Sequence, residues 1–456
     1  MRVRIFLFLI ASVFALVSTT QLAAQSPALV TLVKVGRLLD PRTGNVLSPA
    51  AVLIENGKIK EVGTLSRVQA DVPKGVKIID LGSATLLPGL IDAHTHLLLD
   101  VTVPAEVEIT RRYNGEFAPG LLLAIIESPS KRVLLGAQLA REDLESGFTT
   151  VRNVGHSGID GDVALRDAIN AGRVTGPRIL ASGRKLANQS KNGYVQSLNP
   201  ALAKAILQQE FLEVNGTDGA RQAVKENMFY DVDVIKVAID EDMSVAEVSA
   251  IVDEAHLQHL KVAVHATSAG SIQTAIDAGA DSIEHGNCVT DEQLKTMRDK
   301  GIFLDLTPTF YDGFWSKIHE TITVSPGLRA ANAAGDEAGR KRAAARVQRV
   351  LKSGVKFAAG SDMCWFYLGK TRGQATTTMF PTLYKSGMPA LDIIRAVTSN
   401  AAEMLGWQDR VGAVEPGKFA DLIAVDGDPI ADVSQLEHVR FVMKDGQVVR
   451  NDIVSH

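Results

Sequence analysis

The feature that most constrains the fold of this chain is a regular alternation of apolar runs and helical segments between residues of about 86 and 405. Segments such as "SVAEVSAIVDEAHLQHL" carry apolar residues at helical spacing, and short apolar runs stand between them. The runs are "LIDAHTH", "TTVRNVG", "RILASG", "VDVIKVAID", "KVAVHAT", "SIEHGN", "IFLDLTPT" and "VKFAAGSDM". Eight units in this order predict an α/β fold, a closed parallel (β/α)8 TIM barrel.

A doubly wound open sheet is the alternative architecture with the same alternation of strands and helices. No strand is followed by a G-x-G-x-x-G phosphate loop, which disfavours the dinucleotide-binding form of that fold. The Ala/Arg-rich piece "LRAANAAGDEAGRKRAAARVQRVLKSG" is predicted to be a helix on the solvated outer face, and no function is assigned to it.

The two ends of the mature chain share another pattern. Residues 25–84 read as short strands with a hairpin turn at Glu55-Asn56-Gly57, and residues 406–456 repeat this with a turn at Lys444-Asp445-Gly446. Neither piece is large enough to fold alone. We therefore predict that they pair into one small β-domain beside a barrel formed by residues 85–405.

The first 24 residues have the pattern of a secretory signal peptide. Two arginines precede the apolar run Ile5–Val17, small residues follow it, and cleavage is expected near Ala24. A membrane anchor is the alternative, but the run is short for a span. The mature protein is accordingly expected to be secreted or periplasmic, with no membrane association after cleavage.

The charge and the cysteine content exclude two classes of protein. The net charge is −4 and no basic run occurs, so nucleic acid is not an expected partner. Only two cysteines are present, so the chain is not a disulfide scaffold. Cys288 and Cys364 are expected to be buried free thiols, with a disulfide between them as the alternative.

Two histidines lie one residue apart within the most apolar segment, "TLLPGLIDAHTHLLLD". Residues two apart on a strand point to the same side, so His94 and His96 face one place together, where Asp92 could join them. Two buried imidazoles without partners would cost a few kcal/mol. A metal site at the strand end is the favoured interpretation, and satisfied core histidines are the other.

Four more polar side chains end or interrupt later strands. His265, His285 and Asp362 stand near the ends of "KVAVHAT", "SIEHGN" and "FAAGSDM", and Lys236 lies in the apolar strand "DVIKVAID". In a barrel these side chains converge at the carboxyl end of the strands. A buried ammonium beside a metal would be repelled and desolvated. The conflict disappears if carbon dioxide has converted the amine of Lys236 into an anionic carbamate.

The chain resembles the amidohydrolase superfamily, specifically its imidazolonepropionase-like and Xaa-Pro/Xaa-Arg dipeptidase branch, which includes ochratoxin-hydrolysing enzymes. The resemblance rests on "LLPGLIDAHTH", "AVHA", "IEHG", "GSD", "NAAEMLG" and "VGAVEPGKFADLIAVDGDP", which stand in the family's order. It implies a (β/α)8 barrel with a β-sandwich built from both chain ends, and a homo-oligomer.

The resemblance also implies a binuclear metal site with two Zn²⁺ per subunit. One metal would be held by His94, His96, Lys236 and Asp362, and the other by Lys236, His265 and His285, with Lys236 as a bridging N6-carboxylysine. A metal-bridging hydroxide would attack the substrate carbonyl, and Asp362 would act as the catalytic base and then as general acid. The expected reaction is hydrolysis of an amide in a dipeptide or N-acyl amino acid.

Substrate contacts are less constrained by the sequence. "TTVRNVGHSG" is predicted to place Arg152, Asn153 and His156 at the mouth of the barrel, although relatives usually carry aspartate and glycine in place of Asn153 and His156. A Thr-Gly-Gly-His-Gly segment of many relatives is replaced by Asn188-Gln189-Ser190. His156, Tyr194 and Tyr230 are the candidate substrate-binding residues.

Two other functions remain open. One is a mononuclear cyclic-amide hydrolase or deaminase of the imidazolonepropionase type, against which the strand lysine counts. The other is a barrel that has lost catalysis and serves as a binding module, which would normally have shed metal ligands. A small-molecule or short-peptide substrate is expected for the binuclear amidohydrolase and for the mononuclear enzyme alike.

Overall fold

A computed structural model describes most of the chain: residues 30–70, 72, 75–102, 126–188, 198–239, 243–308, 326–366 and 369–453. The expected signal peptide and Tyr194 lie outside the described residues. Within the described part, no helix combines the length and the apolar character needed to cross a bilayer.

The strands follow one another in two groups, short strands at both chain ends and parallel strands between them. They are β1 (Val30–Val35), β2 (Arg37–Leu39), β3 (Val46–Leu47), β4 (Ala50–Glu55), β5 (Lys58–Thr64), β6 (Lys77–Asp80), β7 (Thr85–Pro88), β8 (Leu90–Thr95), β9 (Val101–Thr102), β10 (Phe148–Asn153), β11 (Arg178–Ala181), β12 (Lys185–Ala187), β13 (Phe211–Glu213), β14 (Val234–Ala238), β15 (Lys261–Ala266), β16 (Ser282–His285), β17 (Phe303–Leu306), β18 (Phe357–Ala359), β19 (Trp365–Phe366), β20 (Leu422–Val425), β21 (Phe441–Lys444) and β22 (Gln447–Asn451).

Most helices connect the parallel strands and cover their outer faces. They are α1 (Leu65–Ala70), α2 (Pro129–Glu145), α3 (Gly161–Asn170), α4 (Pro200–Glu210), α5 (Gly216–Phe229), α6 (Val245–Leu257), α7 (Ala269–Ala278), α8 (Asp291–Lys300), α9 (Pro326–Ser353), α10 (Arg372–Thr376), α11 (Met379–Lys385), α12 (Ala390–Ala396) and α13 (Ser399–Leu405), with a 3-10 helix at Val433–Glu437.

The eight predicted apolar runs are the eight parallel strands of the barrel: β8, β10, β11, β14, β15, β16, β17 and β18. β10 lies between β8 and β11, and the strands from β14 to β18 are paired in sequence order. β12 continues β11 after a break of three residues and pairs with β14 through Leu186 and Val237. The parallel order confirms the predicted α/β class.

The first and last barrel strands meet directly. The backbone N–H of Asp362 donates to the carbonyl oxygen of His94 at 2.7 Å, and the N–H of His96 donates to that of Met363 at 3.2 Å. A Cβ atom on Gly360 would lie 2.3 Å from the Cβ of His94, so only glycine permits this approach. The contact brings the segment that carries Asp362 against the strand that carries the two histidines.

Three consecutive helices begin with a capping box directly after their strands. Ser244 opens α6, Ser268 opens α7 and Thr290 opens α8, and in each case the side chain three residues later bonds back to the cap. Each cap contributes roughly 1 kcal/mol. The loops after β15 and β16 are therefore short and fixed at the carboxyl end of the barrel.

Both chain ends form the small β-domain. One sheet has the order β5-β4-β1-β6, and a second has the order β22-β21-β20-β7-β2-β3, which joins strands from both ends. β20 pairs antiparallel with β7, with Ile423 opposite Leu87. The apolar core between the sheets includes Val33, Ile54 and Leu86 from the amino-terminal part and Leu422 and Phe441 from the carboxyl-terminal part.

The cysteines differ from expectation. Cys288 and Cys364 are not joined by a disulfide, but Cys288 is exposed and Cys364 partly exposed, so the prediction of buried thiols was wrong. Cys288 stands in the loop between β16 and α8, which explains its exposure.

Candidate metal centre

The two histidines of β8 are held in one orientation by hydrogen bonds from their Nδ1 atoms. Nδ1 of His94 lies 2.7 Å from Oε2 of Glu284, and Nδ1 of His96 lies 3.0 Å from the carbonyl oxygen of Gly155. A carboxylate and a carbonyl can only accept, so both Nδ1 atoms carry the proton. Each Nε2 atom is left with a lone pair, the form of imidazole that binds a metal.

Asp362 faces both lone pairs. Its Oδ1 lies 3.4 Å from Nε2 of His94 and 3.2 Å from Nε2 of His96, and its Oδ2 lies 3.8 Å from Nδ1 of His285. Three acceptor groups therefore converge on one point, which a cation would satisfy.

His265 and His285 complete the group of imidazoles. The ring of His285 is 4.6 Å from that of His265 and 4.9 Å from that of His94, measured between centroids. Burial and the charge of Lys236 lower the pKa values of His94 and His265 to about 3. These rings are neutral at physiological pH, as metal ligands must be.

Lys236 lies in the middle of β14 and is 1% exposed. Its Nζ atom has no hydrogen-bond partner among the described residues. Burial lowers the pKa of Lys236 to about 7. A buried amine without a hydrogen-bond partner is unfavourable.

A polar network lies beneath these residues inside the barrel. Arg152 donates to Glu284 Oε2 at 2.8 Å, to Asp305 Oδ2 at 3.2 Å and to Ser282 Oγ at 3.1 Å. Burial opposes it, but the charge of Arg152 and the bond from His94 hold the pKa of Glu284 well below its usual value. Burial and the charge of Glu284 raise the pKa of Asp305 well above its own usual value.

Sequence reasoning missed the roles of Glu284 and Asp305 and placed Arg152 at the mouth, which was wrong: Arg152 is 2% exposed and points into the interior. The signal that could have found the network is a single Arg, Asp or Glu in each of three apolar runs, "TTVRNVG", "SIEHGN" and "IFLDLTPT". Their alternation with outward-facing apolar residues is typical of inward-facing positions.

The long helix α9 also takes part, against the prediction of a solvated outer face. Arg346 is 5% exposed and donates through Nη1 to the carbonyl oxygen of His285 at 2.7 Å and to Oδ1 of Asn287 at 2.6 Å. The helix thus fixes the turn that presents the His285 ring.

Comparison with known families decides the class. The family model described as "Amidohydrolase family" matches residues 85–449, which is most of the chain. The chain belongs to the amidohydrolase family. It is a hydrolase of the kind that acts on amide bonds, and the groups around Asp362 are candidates for the metal site on which that family usually depends.

Individual amidohydrolases resemble the chain over nearly its whole length. Ochratoxinase of Aspergillus niger is 27% identical over 466 residues, covering 94% of this chain and 88% of the relative. Imidazolonepropionase of Clostridium tetani is 23% identical over 446 residues, covering 89% and 91%. The crystal structure of a Xaa-Pro dipeptidase with methionine bound in its active site shares 29% identity and superposes with a TM-score of 0.72, covering 92% of this chain and 99% of that one.

The predicted substrate contacts of this amidohydrolase are placed differently. His156 lies beside the site, with its ring centroid 4.8 Å from that of His96. Tyr230 follows the last turn of α5 and precedes β14, so it lies at the opposite end of the barrel and does not join the cluster. Tyr194 falls outside the described residues.

Two further residues near the cluster have other roles than expected. Asp92 does not join the histidines: its Oδ1 accepts from the N–H of Ser361 at 2.8 Å and of His94 at 3.1 Å, which ties β8 to the turn before Asp362. Asn153 accepts from the N–H of Leu97 at 2.7 Å and donates to Ser157 and Asp162. Both side chains stabilise loops by hydrogen bonds and do not face the mouth of the barrel.

Three residues of this site have a strained backbone. Asp362, His285 and His156 have φ values of 51°, 68° and 59°, in the left-handed region that non-glycine residues seldom adopt. Such a conformation costs of order 1–3 kcal/mol and persists only where the surroundings enforce it. Here Arg346 holds the carbonyl of His285 and the His94 carbonyl holds the N–H of Asp362.

Proposed function

We propose that this protein is a binuclear metal-dependent amidohydrolase that cleaves an amide bond in a dipeptide or an N-acyl amino acid. The observation that carries the proposal is the buried Nζ of Lys236, which lacks a hydrogen-bond partner among the described residues while its charge acts on His94, His265 and His285. Carboxylation of the amine would turn an unsatisfied ammonium into an anion with two oxygen donors. That anion suits a position between two sets of imidazoles.

The residues present fit such a pair of cations. His94, His96 and Asp362 present two lone pairs and a carboxylate to one point, and His265 and His285 stand side by side next to it. Carboxylated Lys236 would complete both ligand sets. Imidazole and carboxylate donors of this kind suit zinc, although other divalent metals bind them too.

When bound there, two divalent cations would polarise the amide carbonyl and lower the proton affinity of a water molecule. Asp362 would take the proton of the attacking water on a carboxylate oxygen and return it to the leaving nitrogen, so that one water and one amide give an acid and an amine. The Glu284 and Gly155 contacts keep the His94 and His96 rings in the required tautomer without rearrangement.

The names of the relatives support the proposed substrate class. One of them is an ochratoxinase and another a Xaa-Pro dipeptidase whose structure holds methionine in the active site. An amide whose amine half is an amino acid is therefore the first class to assay here.

A second candidate is a mononuclear cyclic-amide hydrolase or deaminase, which the similarity to an imidazolonepropionase favours. The two functions differ in the expected metal count, two equivalents for the first and one for the second. The lysine at position 236 supports the first, since a bridging group has no use at a single metal.

The test is a metal and activity measurement on the protein refilled with zinc in bicarbonate buffer. Plasma emission spectroscopy should find two equivalents of zinc, and a panel of dipeptides, N-acyl amino acids and lactones should show hydrolysis of amides. One equivalent with turnover of imidazolone-type rings would favour the second candidate. No metal and no turnover would contradict both.

We also propose that the chain is exported, that its first 24 residues are removed, and that it forms a homo-oligomer. The first two proposals are supported by the signal-like pattern of those residues. Amino-terminal sequencing of protein recovered outside the cytoplasm should begin at about residue 25. Light scattering on the same sample gives the oligomeric state, and a monomer would contradict the last proposal.

A further inference from the structure

A second polar group lies beside the proposed metal ligands, and it begins with Lys185. This residue starts β12, and its side chain lies across the backbone of Gly155. A Cβ atom on Gly155 would lie 2.5 Å from Cε and 2.6 Å from Cγ of Lys185. Gly155, with φ of +108°, therefore provides the space through which the lysine reaches the site.

The ammonium of Lys185 lies 2.7 Å from Nε2 of His156. An ammonium can only donate, so Nε2 of His156 accepts this hydrogen bond. The same ring lies 4.8 Å from that of His96. Lys185 and His156 thus form a pair at the edge of the metal-ligand cluster.

A buried ion pair between Arg132 and Glu210 lies against the carbonyl group and the Nδ1 atom of His156. Arg132 donates through Nη1 to Oε1 of Glu210 at 2.6 Å and through Nη2 to the carbonyl oxygen of His156. Oε2 of Glu210 lies 3.7 Å from Nδ1 of His156. Arg132 thus balances the charge of Glu210 within this ion pair.

Lys185 lies at the edge of the proposed metal site, because the His156 ring that it contacts is 4.8 Å from the ring of His96. A cation held by a rigid support at the edge of a hydrolytic site is a recognition element for an anion, because charge-assisted bonds to a carboxylate are strong and directional.

We infer that Lys185 and His156 form a subsite for a carboxylate of the substrate, so that the enzyme selects amides that carry a free carboxylate close to the scissile bond. This inference rests on the proposed function for the reaction, but the subsite itself concerns binding. Lys185 would bind the carboxylate as a cation, and neutral His156 would position the ammonium. Amides blocked as esters or primary amides would be poor substrates.

The kinetic test compares the best amide substrate of the panel with its carboxyl-terminal primary amide. Wild-type enzyme should prefer the acid by roughly tenfold to hundredfold in kcat/KM, the worth of a charged hydrogen bond. Lys185→Met should lose that preference, mainly through KM, and Lys185→Arg should keep part of it. Lys204→Met, an exposed lysine on α4, is the matched control and should behave as wild type. Equal wild-type rates on both compounds would overturn the inference even if Lys185→Met failed to fold.

A binding measurement separates this inference from the reaction. Calorimetry on metal-free protein uses N-acetyl-L-leucine and N-acetyl-L-leucinamide, since without metal the carboxylate can bind only to protein groups. The acid should bind at least tenfold more weakly to Lys185→Met than to wild type or Lys204→Met. The amide should bind to all three proteins with the same affinity. Equal affinity of wild type and Lys185→Met for the acid would overturn the subsite. If no amide reacts, the proposed function is rejected. The calorimetric comparison of the acid and the amide still decides whether the subsite exists.

Discussion

Nδ1 of His94 donates to Oε2 of Glu284 across 2.7 Å, and both side chains are almost completely buried inside the barrel. Glu284 is in turn held by Arg152 at 2.8 Å. The orientation of a proposed metal ligand is thus set by a network that touches neither solvent nor substrate. Groups of this kind fix the tautomer of the imidazole and raise its basicity.

Glu284→Gln should therefore weaken zinc binding. The amide keeps the size of the side chain, but its NH₂ group must face either Arg152 or His94, both of which donate. We expect a loss of about 10-fold to 100-fold in zinc affinity, measured by competition with a chromogenic chelator. Glu213→Gln, at an exposed position of β13, is the control. A lower melting temperature with unchanged zinc affinity would show that Glu284 only supports the fold.

Lys236→Ala should lose metal and activity together, because the proposed bridge is gone. Short carboxylic acids such as formate or propionate should restore part of both, since they can occupy the place of the carbamate. Zinc content and turnover are measured with and without acid at about 100 mM, the order of magnitude expected for a weak untethered ligand. Full zinc content and full rate in the untreated variant would remove Lys236 from the site.

Asp362→Asn should lower kcat far more than it changes KM. The amide can still lie against His94 and His96, but it cannot take up a proton near neutral pH. We expect a loss of about 10²-fold to 10⁴-fold in kcat with KM within a few-fold, from steady-state kinetics on the zinc-loaded protein. Asp277→Asn on the exposed side of α7 is the control. Similar kcat values in all three proteins would exclude Asp362 from proton transfer.

One buried carboxyl group away from the site should make a contribution to stability that falls with rising pH. Burial raises the pKa of Asp143 from 3.8 to about 7, and its Oδ1 accepts a hydrogen bond from the hydroxyl of Thr376 at 3.0 Å. Between these two pKa values the folded state keeps a proton that the unfolded state releases, so the contribution of Asp143 to stability is most favourable below about pH 4 and declines until about pH 7.

Asp143→Asn removes this titration and should flatten that part of the profile. At pH 8 the variant should be more stable than wild type by a few kcal/mol, on the order of the shift in pKa. Denaturant unfolding of metal-free protein at pH 4, 6 and 8 measures the difference. Parallel profiles for the two proteins would show that Asp143 ionises in the folded state as it does in the unfolded one.

The barrel could be predicted from the sequence because its signal is local. Each strand is a separate apolar run, and the carboxyl ends of parallel strands must meet at one edge. The residues at the ends of these runs can therefore be grouped from the sequence alone. They are His94, His96, His265, His285 and Asp362. Their assignment as metal ligands remains a prediction, although the fold brings them together. Lys236 stood out because an ionisable group interrupts a run of Val, Ile and Ala.

The remainder depended on contacts between distant segments. The bond from His94 to Glu284 spans 190 positions and that from Arg152 to Asp305 spans 153, and no periodicity within a single run specifies such pairs. Lys185 was missed because its approach depends on the space left by Gly155 in another loop. Arg346 was missed because an Ala/Arg-rich helix resembles a solvated surface in composition, while its packing is decided by the turn after His285.

The small β-domain has a consequence for the order of events during synthesis. β7 is completed early, but its neighbour β20 contains Leu422–Val425 and leaves the ribosome only after all the barrel strands. Since domains generally fold as they emerge, the barrel must begin to form while β7 still has an open edge. The last strands then close that edge, so a nascent or truncated chain that ends before residue 422 would present an unpaired apolar strand to its neighbours.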